Sequence, residues 1–259
     1  MKYYIVDAFT DTIFKGNPAG ICLVEDEIDA MTMQWIAAEN NLSETAFVIK
    51  RAGYYDLRWF TPKTEIDLCG HATLGSAFVI TNFVDRSENE IRFDTKSGAL
   101  FVKKTDDFYV LDFPLRNPQP TAVTAPMERA MGTRVLEAHV FARDLLLLLA
   151  DEAQVRSCVP DFSLVGALAE HAVTITAKGN SVDFVSRFFA PNVGIPEDPV
   201  TGSAHTILTP FWAKRLGKDS MTARQLSRRG GTLCCESRGD RVKIAGKAAL
   251  YLQGEIKIK

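Results

Sequence analysis

Cysteine is scarce and poorly spaced for chemistry that needs it in pairs. Five residues, Cys22, Cys69, Cys158, Cys234 and Cys235, make an odd number with no Cys-x-x-Cys spacing. That excludes a zinc ribbon and a thioredoxin-like redox pair, and it fits a reducing cytoplasm. Cys234 and Cys235 are neighbours in an expected strand, so their side chains leave opposite faces and do not share an ion. The four histidines, His71, His139, His171 and His205, show no metal-ligand spacing. A Gly-x-Gly-x-x-Gly turn after a strand and a lysine-bearing phosphate loop are both missing, which removes local support for nucleotide chemistry. Neither sign of charge dominates, with 30 Lys and Arg against 32 Asp and Glu, so there is no electrostatic footprint for nucleic acid or an anionic membrane. Leu145 to Ala150 is the longest purely apolar run, far short of a bilayer span, and Asp7 and Asp11 break any secretory leader. These absences point to a soluble, cytoplasmic protein whose partner is a small molecule.

What the chain does contain is a repeat. Arg58-Trp59-Phe60-Thr61-Pro62 matches Arg187-Phe188-Phe189-Ala190-Pro191 at 187 − 58 = 129 residues. Gly70-His71-Ala72 matches Gly202-Ser203-Ala204 at 132, and Ser97-Gly98-Ala99-Leu100 matches Gly230-Gly231-Thr232-Leu233 at 133. Earlier, Phe47-Val48-Ile49 aligns with Val173-Thr174-Ile175 at 126. An offset near half the length is too long for a solenoid unit and indicates two similar domains from one duplication. The proline-rich stretch from Asn117 to Pro126 is the expected boundary, giving domains 1–117 and 118–248, the first possibly completed by a C-terminal strand over 249–259.

Period-two patterning and turn residues predict strands over 1–8, 20–24, 45–49, 55–60, 90–93, 99–103 and 108–113, then 135–141, 145–149, 172–177, 182–189, 223–227, 232–236 and 241–244. Helices are expected over 29–39, 71–82, 161–170 and 203–216, with Pro210 a kink or early stop. Helices between mostly antiparallel strands give an α+β class. The runs after Gly70 and Gly202 are apolar almost all round, so each helix is expected at the centre of its domain with a sheet curled about it. Helix starts are anion sites, because their N–H groups lack intrahelical partners and the dipole is positive there. Two of them facing across a cleft between the domains would grip a small carboxylate.

Candidate chemistry gathers at three segments. Glu44, beside the hydroxyls of Ser43 and Thr45, has the setting of a placed acid/base carboxylate, although exposed glutamates are the commoner case. His71 follows Gly70 at one helix start and suits hydrogen bonding to substrate. Asp198 precedes Pro199, a frequent turn use of Asp, and Thr201, Gly202 and Ser203 open the second helix start. No Gly-x-Ser-x-Gly elbow surrounds Ser203, so a nucleophilic hydrolase is rejected. Asn17, before Pro18, is as consistent with a turn as with substrate binding. Cys69 is a possible second base, which keeps an epimerase as an alternative, as is a non-catalytic metabolite-binding protein. Its repeat partner is Thr201, so a pair of opposed thiol bases is missing and a one-face proton shift by Glu44 is favoured.

Asn17-Pro18-Ala19-Gly20, Leu42-Ser43-Glu44-Thr45-Ala46-Phe47, Cys69-Gly70-His71-Ala72-Thr73-Leu74-Gly75 and Asp198-Pro199-Val200-Thr201-Gly202-Ser203-Ala204-His205 together resemble the PhzF-like phenazine-biosynthesis family, over about Tyr4 to Ile256. The resemblance implies a diaminopimelate-epimerase-like fold of two pseudo-symmetric domains. It also implies a cofactor-free, metal-free isomerase that moves a proton on a cyclic or amino-acid-like carboxylate, usually as a homodimer. Carried over by motif position, Glu44 is the proton shuttle, with His71 and Asp198 as further catalytic residues. Asn17, Ser43, Gly70, Thr201, Gly202 and Ser203 are then substrate-binding.

Overall fold

The computed structural model describes residues 1–258. They divide into two compact units, one of residues 1–112 and 245–258 and one of residues 113–244. The first unit contains strands β1 (Lys2–Ala8), β2 (Asn17–Val24), β3 (Glu44–Lys50), β4 (Tyr55–Phe60), β5 (Glu65–Ile66), β6 (Glu90–Thr95), β7 (Gly98–Thr105) and most of β8 (Phe108–Pro114). The second contains β9 (Gln119–Thr121), β10 (Glu137–Phe141), β11 (Asp144–Leu148), β12 (Ala172–Lys178), β13 (Phe184–Ala190), β14 (Ile195–Asp198), β15 (Ser220–Gln225), β16 (Gly231–Arg238) and most of β17 (Arg241–Gly246). The last strand, β18 (Ala248–Glu255), returns to the first unit and pairs antiparallel with β1. Six helices complete the chain: α1 (Ala30–Asn40), α2 (Gly70–Val79), α3 (Ala125–Met131), α4 (Glu152–Ser157), α5 (Phe162–Leu168) and α6 (Gly202–Leu216).

Internally the two units follow one plan. In the first, β18–β1–β2 are antiparallel, β2–β3 parallel, β3–β4 antiparallel, β4–β6 parallel and β6–β7 antiparallel. The second repeats that order of senses: β9–β10–β11 antiparallel, β11–β12 parallel, β12–β13 antiparallel, β13–β15 parallel and β15–β16 antiparallel. This is the expected α+β architecture of a mainly antiparallel sheet curled about a central helix. In α2, eight of ten residues are buried, and the helix packs against β1, β2, β3, β7 and β18. Nine residues of α6 are buried, and Trp212 from this helix donates to Thr176 Oγ1 on β12 at 2.9 Å.

The repeated Arg-x-Phe-x-Pro segment performs the same task twice. Arg58 Nε and Nη2 donate to the two carboxylate oxygens of Glu65 at 2.7 and 3.0 Å, and the guanidinium lies 5.2 Å from the Phe60 ring. Arg187 holds Glu197 at the same 2.7 and 3.0 Å, 5.1 Å over Phe189, and its Nη1 also donates to the carbonyls of Val155 and Cys158. Each fork ties the sheet to the short strand, β5 or β14, that leads into the central helix. A lysine offers no planar fork, so Arg187→Lys is expected to lower unfolding stability by about 1–2 kcal/mol, measured by urea denaturation.

Several expectations are corrected by local physics. The alignment of Phe47 with Val173 is two residues out of step: Phe47 pairs with Arg58 and Ile175 with Arg187, an offset of 175 − 47 = 128. A two-residue slip keeps every side chain on its face, so alternation alone does not reveal it. Pro210 does not stop α6, which runs on to Leu216. The Thr206 carbonyl that Pro210 is unable to serve accepts Arg116 N–H instead, at 3.2 Å. The helix expected to reach Asn82 ends as α-helix at Val79 and widens into a π-turn over Ile80–Val84, where Asn82 Nδ2 takes the Phe78 carbonyl at 2.7 Å. The proline-rich stretch after Asn117 holds β9, paired with β10, and then α3.

Asn17, for which a turn was the alternative to substrate binding, opens β2 directly after Gly16, whose φ is +64°. A Cβ on Gly16 would sit 2.1 Å from the Ala8 carbonyl oxygen. Gly16→Ala is therefore expected to cost at least about 1–2 kcal/mol, the penalty of left-handed backbone for a side chain, read as a lowered urea midpoint.

Candidate active site

In the first unit, three chain segments deliver polar side chains to one place. Parallel pairing of β2 and β3, with Ala19 opposite Glu44, sets Asn17 and Glu44 at the same ends of neighbouring strands. Asn41, left-handed at φ 48°, caps α1 and turns the chain through half-buried Ser43 into β3. The third segment is the start of α2, where Cys69 is the N-cap residue and makes no side-chain capping bond. His71 stands between the others. Its Nε2 is 3.0 Å from Glu44 Oε2, its Nδ1 is 3.3 Å from Asn17 Nδ2 and 3.4 Å from Cys69 Sγ. All four residues are buried, Glu44, Cys69 and His71 at 6% exposure and Asn17 at 0%. Glu44 Oε2 is close enough to His71 for an ion pair yet has no hydrogen-bond partner in good alignment.

Burial carries electrostatic consequences. The Cys69 thiol is pushed up by loss of solvent and then by the negative charge of Glu44, so at neutral pH it holds its proton and is a poor base. For His71, burial works against the charged form and is the largest single influence, but Cys69 and Glu44 together outweigh it and raise the imidazole well above its ordinary value. Glu44, Cys69 and His71 each offer an atom within 4.8 Å of the others, close enough to hold a metal ion. Histidine spacing in the sequence gives no hint of this, because the donors come from two segments and only one is histidine.

The second unit builds a different arrangement at the matching helix start. Thr201 Oγ1 donates to Asp198 Oδ2, so the Asp198 carboxylate does serve its turn. Gln225 on β15, 1% exposed, clamps the same loop: its Oε1 accepts Thr201 N–H at 2.9 Å, and its Nε2 donates to the Asp198 carbonyl at 2.8 Å and to Thr201 Oγ1 at 3.1 Å. Sequence reasoning missed Gln225. The one available signal was an amide in an expected buried strand, where an unpaired polar group would be costly. Gly202 and Ser203 form the first turn of α6, whose N-cap Thr201 makes no side-chain capping bond. His205 Nδ1 lies 2.8 Å from the Thr201 carbonyl, and burial lowers its pKa to about 4.

Corrected by register, the partner of Glu44 in the second unit is Ala172, at 44 + 128 = 172. The partner of His71 is Ser203 and that of Cys69 is Thr201. A buried carboxylate thus stands at one of the two equivalent positions only.

The family model described as phenazine biosynthesis-like protein matches residues 6–254. The chain belongs to this family. Its relatives include an uncharacterized isomerase of Pseudomonas aeruginosa, 48% identical over 257 residues, 99% of this chain and 98% of that protein. Among solved structures, a phenazine biosynthesis protein of the PhzF family from Enterococcus faecalis superposes with a TM-score of 0.97 at 49% identity, covering 99% of both chains. In fold alone the likeness extends to a hydroxyproline epimerase from Agrobacterium vitis, solved with trans-4-hydroxy-L-proline, at a TM-score of 0.62, 11% identity and coverage of 98% of this chain and 91% of the epimerase. No helix of the described residues is long and apolar enough to cross a membrane.

Proposed function

We propose a specific course for the isomerase chemistry of this phenazine biosynthesis-like protein: Glu44 removes a proton from one carbon of a small carboxylate substrate and returns it to another. The substrate class is cyclic or amino-acid-like. The C–H electron pair shifts into the adjacent unsaturated system as Glu44 takes the proton. Its return to a second carbon on the same face restores the carboxylate and completes a double-bond shift without redox change. His71 stands at 3.0 Å from Glu44, where an imidazolium steadies the carboxylate form and offers a hydrogen bond to developing negative charge.

The observation that supports this reading is that Glu44, a buried carboxylate, has no carboxylate at its equivalent position in the second unit. Inversion at carbon needs two groups on opposite faces, whereas the positions equivalent to Glu44 and Cys69 are Ala172 and Thr201, and burial keeps the Cys69 thiol protonated. A shift on one face needs one carrier. Substrate binding is assigned to Asn17, Ser43 and Gly70 in the first unit and to Thr201, Gly202 and Ser203 in the second. Asp198 is proposed as a further catalytic residue. Helix starts without side-chain caps, at Gly70 and Gly202, favour a negative group by about 0.3–1 kcal/mol each. The test is incubation of the protein with cyclic and amino-acid-like carboxylates in deuterium oxide, followed by mass spectrometry. Enzyme-dependent deuterium uptake with a moved double bond is expected. Uptake accompanied only by inversion of a stereocentre would replace this reading with an epimerase.

A further inference from the structure

We infer that Gln225 is a positioning residue for the isomerase reaction: its buried amide turns the Thr201 hydroxyl proton onto the Asp198 carboxylate. A side-chain amide has one acceptor oxygen and two N–H bonds. All three groups are spent on one loop, Oε1 on Thr201 N–H, and Nε2 on the Asp198 carbonyl and on Thr201 Oγ1. The amide has one possible orientation, because a backbone N–H only donates and a carbonyl only accepts, so a flip would set like groups against each other at both ends. Thr201 Oγ1 therefore accepts from Nε2 and has a single proton left to give, which goes to Asp198 Oδ2. An N-cap threonine ordinarily accepts from the backbone N–H groups of its own first helical turn. Thr201 makes no such bond, its hydroxyl being drawn to Gln225 and Asp198 instead.

The duplicated half separates this task from support of the turn. Tyr55 pairs with Phe93 as Phe184 pairs with Ala223. Since 184 − 55 = 129 and 223 − 93 = 130, the counterpart of Gln225 is Thr95, at 225 − 130 = 95. Two residues further on, Ser97 Oγ donates to the Asp67 carbonyl at 2.7 Å and Ser227 Oγ to the Pro199 carbonyl at 2.7 Å. Both halves thus fasten this hairpin to the loop that enters the central helix with the same serine bond, and the second hairpin adds its three extra residues, 133 − 130, after that serine. The amide is not part of the shared frame. Thr95 Oγ1 turns to its own hairpin, donating to the Gly98 carbonyl at 2.7 Å and accepting Ser97 N–H at 3.1 Å. The first unit makes the turn without an amide where, at an offset of 132, Ile66 and Cys69 stand in place of Asp198 and Thr201. Gln225 occurs in the half whose carboxylate and hydroxyl need a direction.

The inference rests on the catalytic role proposed for Asp198, and the experiment keeps the two apart. NMR of isotope-labelled full-length protein reads the hydroxyl direction with no substrate present. The native protein should show a scalar coupling across the hydrogen bond, from the Thr201 hydroxyl proton to the Asp198 carboxyl carbon, and Gln225→Leu should lose it. No coupling in the native protein, or coupling that survives Gln225→Leu, overturns the inference. Near-UV circular dichroism checks that each variant is folded. Gln225→Glu carries the test should Gln225→Leu not fold: it still accepts Thr201 N–H, but its carboxylate has no proton to donate and takes the hydroxyl proton for itself, so the coupling is lost again. Turnover is then read with a carboxylate that passes the deuterium-exchange assay. Gln225→Leu should lower kcat about 10²-fold, the effect of displacing a reacting group by about 1 Å. It should cost nothing further in Asp198→Asn protein, because both changes act through one carboxylate. Additive losses, or native exchange in Gln225→Leu where Asp198→Asn is impaired, overturn the positioning role. Native exchange in Asp198→Asn would instead sink the catalytic role of Asp198, while the coupling still shows whether Gln225 directs the hydroxyl.

Discussion

Glu44→Gln is expected to lower deuterium exchange into substrate about 10²–10⁴-fold, the contribution of a positioned acid/base group, with little change in fold or substrate affinity. Glutamine keeps the volume and one acceptor oxygen of a side chain that is 6% exposed, so packing against β2 and α2 survives while the proton carrier is gone. Cys69→Ser is the paired experiment and should retain exchange. Its thiol already holds its proton through burial and the nearness of Glu44, so exchange of sulfur for oxygen removes no base. Exchange that survives Glu44→Gln and disappears in Cys69→Ser would replace the one-carboxylate isomerase with a thiol-based epimerase.

The second large effect concerns stability in acid. His205 is fully buried, its Nδ1 donates to the Thr201 carbonyl, and burial depresses its pKa from the ordinary 6.5 to about 4. Between those values the unfolded chain binds the proton and the folded chain does not. The stability that neutral His205 contributes is therefore fully present above about pH 6.5 and lost as pH falls through about 4. The full difference is on the order of 3 kcal/mol. Urea midpoints measured from pH 6.5 down to 4.5 should fall for the native sequence and stay flatter for His205→Asn, whose amide still donates to Thr201. Parallel slopes for the two proteins would assign the acid sensitivity to other groups. His71 acts in the opposite window: its raised pKa gives stability that is complete below the ordinary value and lost as pH climbs through the folded one.

Much of the fold was legible because it is written in short-range signals. Alternation over 55–60 and 172–177 and the two apolar runs after Gly70 and Gly202 were enough to place β4, β12, α2 and α6. The short elements were not: β5 has two residues, β9 three, and α4 six, lengths at which a pattern does not separate from chance and tertiary packing decides. At the candidate site, Glu44, Cys69 and His71 were singled out as residues, but their convergence on one another was not. It depends on the packing of α2 against β3, a long-range fact that no local window contains. Gln225 stayed hidden for the same reason, since its partners Asp198 and Thr201 lie more than twenty residues upstream. The Arg–Glu forks were half legible. Both arginines stand in the repeated motif, yet Glu65 follows its arginine by seven residues and Glu197 by ten, so a fixed-offset search finds the donors and not the acceptors.

Those two forks let one molecule serve as its own control. A duplicated chain carries two descendants of each ancestral position, and comparing them separates what the architecture demands from what one copy alone retains. The arginine with its aromatic shelf and acidic partner survives in both halves at matching distances, which marks it as a requirement of any sheet that must deliver a central helix. Glu44 faces Ala172 in that comparison and His71 faces Ser203, positions where the copies were free to part. Divergence at such places gives the two halves unlike polar groups at matching helix starts while the frame around them stays shared.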